Sequence, residues 1–159
     1  MFCKSQFGRS MIEMLGVLAI IGVLSVGGLV GYAKAMRTIR ANDVVQYLEQ
    51  LKMEYKTQSV TGALAQIEYQ VTCANFVGEA PPAGIDGSQP KGGCHVEPKN
   101  AYGTNRIFMI LTSSQLYLDI IDKFGYECSA ANRAKLEAGQ RPYLRSYQLT
   151  NGRWITDCF

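Results

Sequence analysis

Between Glu13 and Lys34 the chain runs for twenty residues, Met14 to Ala33, without a charged side chain. At about 1.5 Å rise per residue a helix of that length is about 30 Å long, which matches the hydrocarbon core of a bilayer. A helix that is apolar on every side has no face for water, so lipid or other protein must cover it. From Ala33 to Lys56 the pattern changes. Met36, Ile39, Val44, Tyr47, Leu48, Leu51 and Tyr55 recur at helical spacing, while Arg37, Arg40, Asp43, Glu49 and Lys52 occupy the positions between them. Neither proline nor glycine interrupts this stretch. The two patterns together predict one continuous helix from Met11 to Lys56, apolar all round in its first half and amphipathic in its second, whose apolar stripe packs on a folded domain.

Beyond that helix the signals are shorter. Residues 57–104 are rich in turns, and Pro81-Pro82, Gly84, Gly87, Pro90 and Gly92-Gly93 predict a surface loop over 78–93. Arg106 to Leu111 and Leu116 to Ile121 are rich in strand-forming residues and are separated by Thr112-Ser113-Ser114-Gln115, which predicts a hairpin. Tyr147 to Thr150 and Arg153 to Thr156 flank Asn151-Gly152, the preferred pair for a two-residue type I′ turn. Between the hairpins, Ser129 is an N-cap candidate and Gly139 a stop, predicting a short helix over Ser129 to Glu137. A long helix against a small antiparallel sheet is an α+β arrangement.

Composition changes this picture at the cysteines. Cys3 precedes the apolar run, whereas Cys73, Cys94, Cys128 and Cys158 all follow it. An even set of four beyond the membrane segment fits a disulfide-bonded domain in an oxidising compartment, with three connectivities open. Zinc is the alternative, but the spacings are long, no CxxC occurs and His95 is the sole histidine. Flanking charge is a poor guide to orientation, since Lys4 and Arg9 precede the span and Lys34, Arg37 and Arg40 follow it. Cysteine usage instead puts the larger C-terminal part on the exported side. A conventional signal peptide is the competing reading, and Ala33-Lys34-Ala35 supplies an A-x-A pattern. The apolar region of such a peptide is about 7–15 residues, shorter than this run, and Glu13 stands where it should be apolar.

The residues at the entrance to the span read Gly8-Arg9-Ser10-Met11-Ile12-Glu13, followed by Met14-Leu15-Gly16-Val17-Leu18-Ala19-Ile20-Ile21-Gly22. A carboxylate beside an apolar span is costly to bury, so it usually has a partner or a role. A basic leader ending in glycine, a short start closing in glutamate and an apolar helix in register resemble the class III leader of type IV prepilins and type II secretion pseudopilins, over residues 5–40. The resemblance implies that a membrane prepilin peptidase cuts between Gly8 and Arg9 and methylates the new amine of Arg9. It implies that Glu13 is the family's glutamate, which meets the amine of a neighbouring subunit during assembly, and that Gly22 matches a glycine of the family's helix. Where most members begin with an aromatic or apolar residue this chain has Arg9, and Val30 stands at the frequent proline position. Gly27 and Gly31 form a small-xxx-small pair that permits close approach of helices, although glycine is also simply tolerated in membrane helices.

The implied organisation is a leader over 1–8, a transmembrane and assembly helix over 9–33 and a pilin-like globular domain over 34–159. The family's C-terminal loop implies a bond between Cys128 and Cys158, which leaves Cys73 with Cys94, its neighbour across the 78–93 loop. Asn100-Ala101-Tyr102-Gly103 faintly resembles a stretch of some type IVb-like pilins. The expected partners are sister subunits, the prepilin peptidase, the inner-membrane assembly machinery and, before assembly, the lipid bilayer. The expected location is the inner membrane and then an extracellular pilus or periplasmic pseudopilus.

Catalysis finds little in the chain. No nucleophile motif, phosphate-binding glycine loop or carboxylate pair stands out, no cofactor or metal is implied, and His95 reads as an exposed loop residue beside Cys94. The formal charge of +3 is small and dispersed. From Ser129 onward Arg133, Lys135, Arg141, Arg145 and Arg153 face Glu137 and Asp157, a mild excess that could meet DNA or an anionic surface. No aromatic series accompanies those charges, so a solvated face is the preferred reading over nucleic acid.

Overall fold

A computed structural model of the chain describes residues 7–66, 70–98, 104–141 and 143–158. Most of the leader, with Cys3, and the Asn100–Gly103 stretch lie outside them. The chain divides into two compact units, Met1–Met36 and Arg37–Phe159.

Helix α1 spans Phe7–Thr61, four residues earlier and five later than the sequence pattern predicts. It continues through Thr57, Ser59 and Thr61 because their hydroxyls bond back to the Met53, Lys56 and Gln58 carbonyls. It ends at Gly62, whose φ of +77° is the left-handed conformation that closes helices.

In the second unit the buried stripe of α1 is Ala41, Val44, Val45, Tyr47, Leu48, Leu51 and Tyr55. Ile39, expected on that stripe, is half exposed; Ala41 and Val45 take its place on the packed face. Against this stripe lies a six-stranded sheet built from β1 (Val71–Thr72), β2 (Cys94–Glu97), β3 (Arg106–Met109), β4 (Glu127–Cys128), β5 (Leu144–Gln148) and β6 (Trp154–Cys158). Its spatial order is β1-β2-β3-β5-β6-β4. Every pairing is antiparallel except β4 with β6, so the sheet is mixed rather than the purely antiparallel one expected. Cys94, Val96, Ile107, Met109, Leu144 and Cys158 are buried at alternate strand positions and form one core with the α1 stripe.

The segment read as a second strand of a hairpin is a helix, α3, over Ser114–Phe124. Leu116, Tyr117, Ile120 and Ile121 are buried together, a spacing that gathers on one side of a helix but would split between two faces of a strand. Ser113 starts it by accepting the Leu116 N–H, and Gly125 ends it. Two shorter helices complete the unit, α2 (Cys73–Val77) capped by Thr72, and α4 (Ala130–Glu137) capped by Ser129 as its position predicts. The last hairpin also differs from its reading. Gly152 donates to the Leu149 carbonyl and Leu149 to the Arg153 carbonyl, and only Gly152 has positive φ, at +82°. That is a turn closed by a glycine bulge over a three-residue loop, because Asn151 does not take the left-handed conformation that type I′ requires.

Candidate functional site

The residues singled out by the sequence fall in two places. In the first unit, every large apolar side chain from Met11 to Tyr32 is 53–75% exposed. Nothing within the unit covers them, since a lone helix has only its own neighbours to pack on. Among the described residues this is the one helix long and apolar enough to cross a membrane. A Cβ added at Gly16, Gly22, Gly27, Gly28 or Gly31 meets nothing within 4 Å, so no contact inside the chain requires these residues to be small. Glu13 stands in the same exposed band. The Gly8–Arg9 bond lies in the backbone of α1, near its beginning.

In the second unit, Cys73 is bonded to Cys94 and Cys128 to Cys158, across 21 and 30 residues. The zinc alternative is thereby closed for these four, because their sulfurs are consumed in pairs. The first bond ties the start of α2 to β2 beneath the 78–93 loop. Asp86, within that loop, braces it: it accepts from the Ser88 hydroxyl at 2.6 Å, from the Gln89 amide at 3.2 Å and from Arg141 at 2.6 Å. The Ser88 and Gln89 hydrogen bonds, with Arg141 adding to them, hold its carboxyl down to about 2.

His95 is a strand residue and half buried, not the exposed loop residue expected. Its ring stacks on Phe108 across β2 and β3 at 5.0 Å, and its Nε2 is 3.4 Å from the Glu97 carboxylate. Burial pushes the imidazole below its ordinary value, with Glu97 opposing and Lys91 reinforcing that shift. Glu97 also accepts a hydrogen bond from Gln70.

The basic residues of the C-terminal third are largely tied to acids of this same unit. Arg145 grips Asp157 on the adjacent strand through two bonds of 3.0 and 2.6 Å, Arg133 grips Asp122 at 3.0 and 3.3 Å, and Arg141 holds Asp86. Lys135 donates to Asn132. Such pairing lowers the field available to a polyanion, which binds through unneutralised cations.

The two aromatic residues of the last hairpin, Tyr147 and Trp154, are both half buried. Trp154 meets the Tyr55 ring edge-on at 5.4 Å, and Arg145 lies over Tyr147 at 5.1 Å. Trp154 also borders an open cleft of about 670 Å³ between α1 and the last hairpin, lined in part by Glu49, Lys52 and Lys56. Sequence alone had no signal for this cleft, because its walls lie about a hundred residues apart in the chain.

Set against models of protein families, curated proteins and solved structures, the chain matches none.

Proposed function

We propose that the chain is a structural, non-catalytic subunit of a type IV pilus-like filament, cut after Gly8 and assembled through its N-terminal helix. The observation that carries this reading is the band of apolar side chains from Met11 to Tyr32, more than half exposed in the single chain. Such a surface needs lipid before assembly and sister helices after it. The leader motif from Gly8 to Glu13 supports the filament over an ordinary anchor, because a carboxylate at the edge of an apolar run suits a new amine at Arg9 from a neighbouring copy. Gly22, Gly27 and Gly31 support it too, being small where the chain itself makes no use of smallness. The disulfide-bonded α+β unit supplies the folded part of the subunit. The reciprocal pairing of Arg133, Arg141 and Arg145 with acids argues for a solvated filament face over a nucleic-acid surface.

The test is the full chain expressed with a prepilin peptidase and an assembly system, read by intact mass and by the ratio of sheared to membrane-bound subunit. The expected mature chain begins at Arg9. Glu13→Gln should still be inserted and cut, while its sheared fraction falls at least about tenfold, since each 1.4 kcal/mol at a repeated contact is tenfold in association. A mature chain beginning at Lys34 or Met36, or equal sheared fractions for the two proteins, refutes the reading.

A further inference from the structure

The cleft between α1 and the last hairpin has a chemistry that the filament reading leaves unused. On its helix side stand two ammonium groups. Lys52 is only 10% exposed in its side chain and is held by the Glu49 carboxylate at 2.7 Å and the Thr156 hydroxyl at 3.3 Å, which leaves one of its three donors unspent. Lys56, one turn on, is exposed and meets no carboxylate among the described residues. On the hairpin side Asn151 uses its oxygen to accept the Arg153 N–H, so its amide donors remain available, and beside it Gln148, which accepts from Asn105 and donates to the Gly152 carbonyl, keeps one amide hydrogen to give. Trp154, the sole tryptophan of the chain, contributes an indole that is fixed by its edge-on contact with Tyr55.

Two cations against one carboxylate leave a single net positive charge, amide donors and acceptors suit hydroxyl groups, and an aromatic wall suits a face of C–H bonds directed at its negative quadrupole. The volume of about 670 Å³ lies within the range of small-molecule sites. We infer that this cleft binds an acidic saccharide, a uronic- or sialic-acid-type sugar, with its carboxylate on Lys56 and Lys52, its ring on Trp154 and its hydroxyls on Asn151 and Gln148. Neither a simple inorganic anion nor a poly-acidic peptide fits as well. The former has no use for the indole, and the latter has no sugar ring to lay its C–H face on it. All of these residues belong to the second unit, so the site stands whether or not the chain forms a filament.

The single tryptophan makes the test direct. Full-length chain in neutral detergent is titrated with digalacturonate while Trp154 emission is recorded, with galactobiose, inorganic phosphate and triglutamate as comparators. Digalacturonate should change the emission saturably, and galactobiose should bind at least about tenfold more weakly, the worth of a hydrogen bond to a charged group. Lys56→Gln should weaken digalacturonate about tenfold, Lys56→Arg should retain most of the affinity, and Lys135→Gln on α4 should change nothing. The proposal is overturned by an absence of saturable change, by equal affinity for galactobiose, by phosphate or triglutamate binding as tightly as digalacturonate, or by a Lys56→Gln protein that titrates like the unaltered one.

Discussion

The hydroxyl oxygens of Ser146 and Thr156 lie 2.7 Å apart, directly opposite each other on β5 and β6 and facing the interior. They are 1% and 7% exposed, and the Lys52 ammonium of α1 donates to Thr156 from the third side. A polar pair inside an apolar core is tolerable only when each member answers the other, because neither can reach water. It also sets the register of the last hairpin, since a slip of β6 by one residue would turn Thr156 outward, bring Asp157 in and leave Ser146 without its partner.

Thr156→Val keeps the shape and removes the partner. Ser146 is then buried without it and Lys52 loses an acceptor, so the expected destabilisation is about 1–3 kcal/mol. The double variant Ser146→Ala, Thr156→Val should cost less than the sum of the two single changes. Urea unfolding of the four proteins in detergent measures both, and additive losses would show that the hydroxyls are energetically independent.

Tyr117 is completely buried at the centre of α3, and its hydroxyl accepts the buried Leu111 N–H at 2.9 Å. Burial raises its pKa well above the ordinary phenol value, so it stays neutral throughout the working range. Tyr117→Phe strands that backbone donor and should cost about 1–3 kcal/mol, whereas Tyr143→Phe, at a residue 42% exposed, should change stability by less than about 0.5 kcal/mol. The comparison of unfolding midpoints decides whether the hydroxyl or merely the ring matters at position 117.

Breaking the Cys128–Cys158 bond by replacing both with alanine opens a loop of 30 residues. The chain-entropy model puts the loss at about 3–4 kcal/mol. That loop carries α4, β5 and β6, and β4 is held to the sheet edge by two parallel register positions only, Glu127 with Asp157 and Cys128 with Cys158. Amide exchange should therefore rise first over 127–137 in the variant, with the α1 stripe still protected. Uniform loss of protection would instead mean that the bond supports the whole unit.

Stability should also depend on pH. The His95 imidazole is held below its ordinary value by burial, with Glu97 on its own strand opposing, Lys91 reinforcing, and the Phe108 ring stacked on it, itself met edge-on by Tyr143. The unfolded chain therefore takes up a proton near the ordinary imidazole value of about 6.5 while the folded chain resists it until lower pH. Stability contributed at this site is complete above that value and falls as the solution is acidified below it. Urea midpoints at pH 7.5 and 5.5 should diverge, and the divergence should shrink in His95→Gln. An unchanged pH slope in that variant would show that His95 does not carry the effect, since Asp86, lowered from 3.8 to about 2, stays ionised in both states across this window.

Much of this molecule is legible locally. The uncharged run from Met14 to Ala33 states its length and its need for cover without reference to any other residue. The change to an amphipathic pattern after Ala33 announces a folded unit, although the sheet decides that the packed stripe starts only at Ala41, and Ser129 announces α4 because a cap is a contact between near neighbours in the chain. What sequence could not decide is whatever depends on residues far apart. The apolar cluster from Leu116 to Ile121 suits a strand or a helix by composition, and the core beneath it, reached by Leu116, Tyr117, Ile120 and Ile121 together, selects the helix. His95 lies near glycines and looks like a loop residue until β3 supplies Phe108. The parallel seat of β4 beside β6, the pair Ser146 and Thr156 with Lys52 reaching it across 104 residues, and the cleft under Trp154 exist only once α1 lies on the sheet. Periodicity and caps are energies between neighbours along the chain, whereas these are energies between neighbours in space, and only the folded core brings such neighbours together.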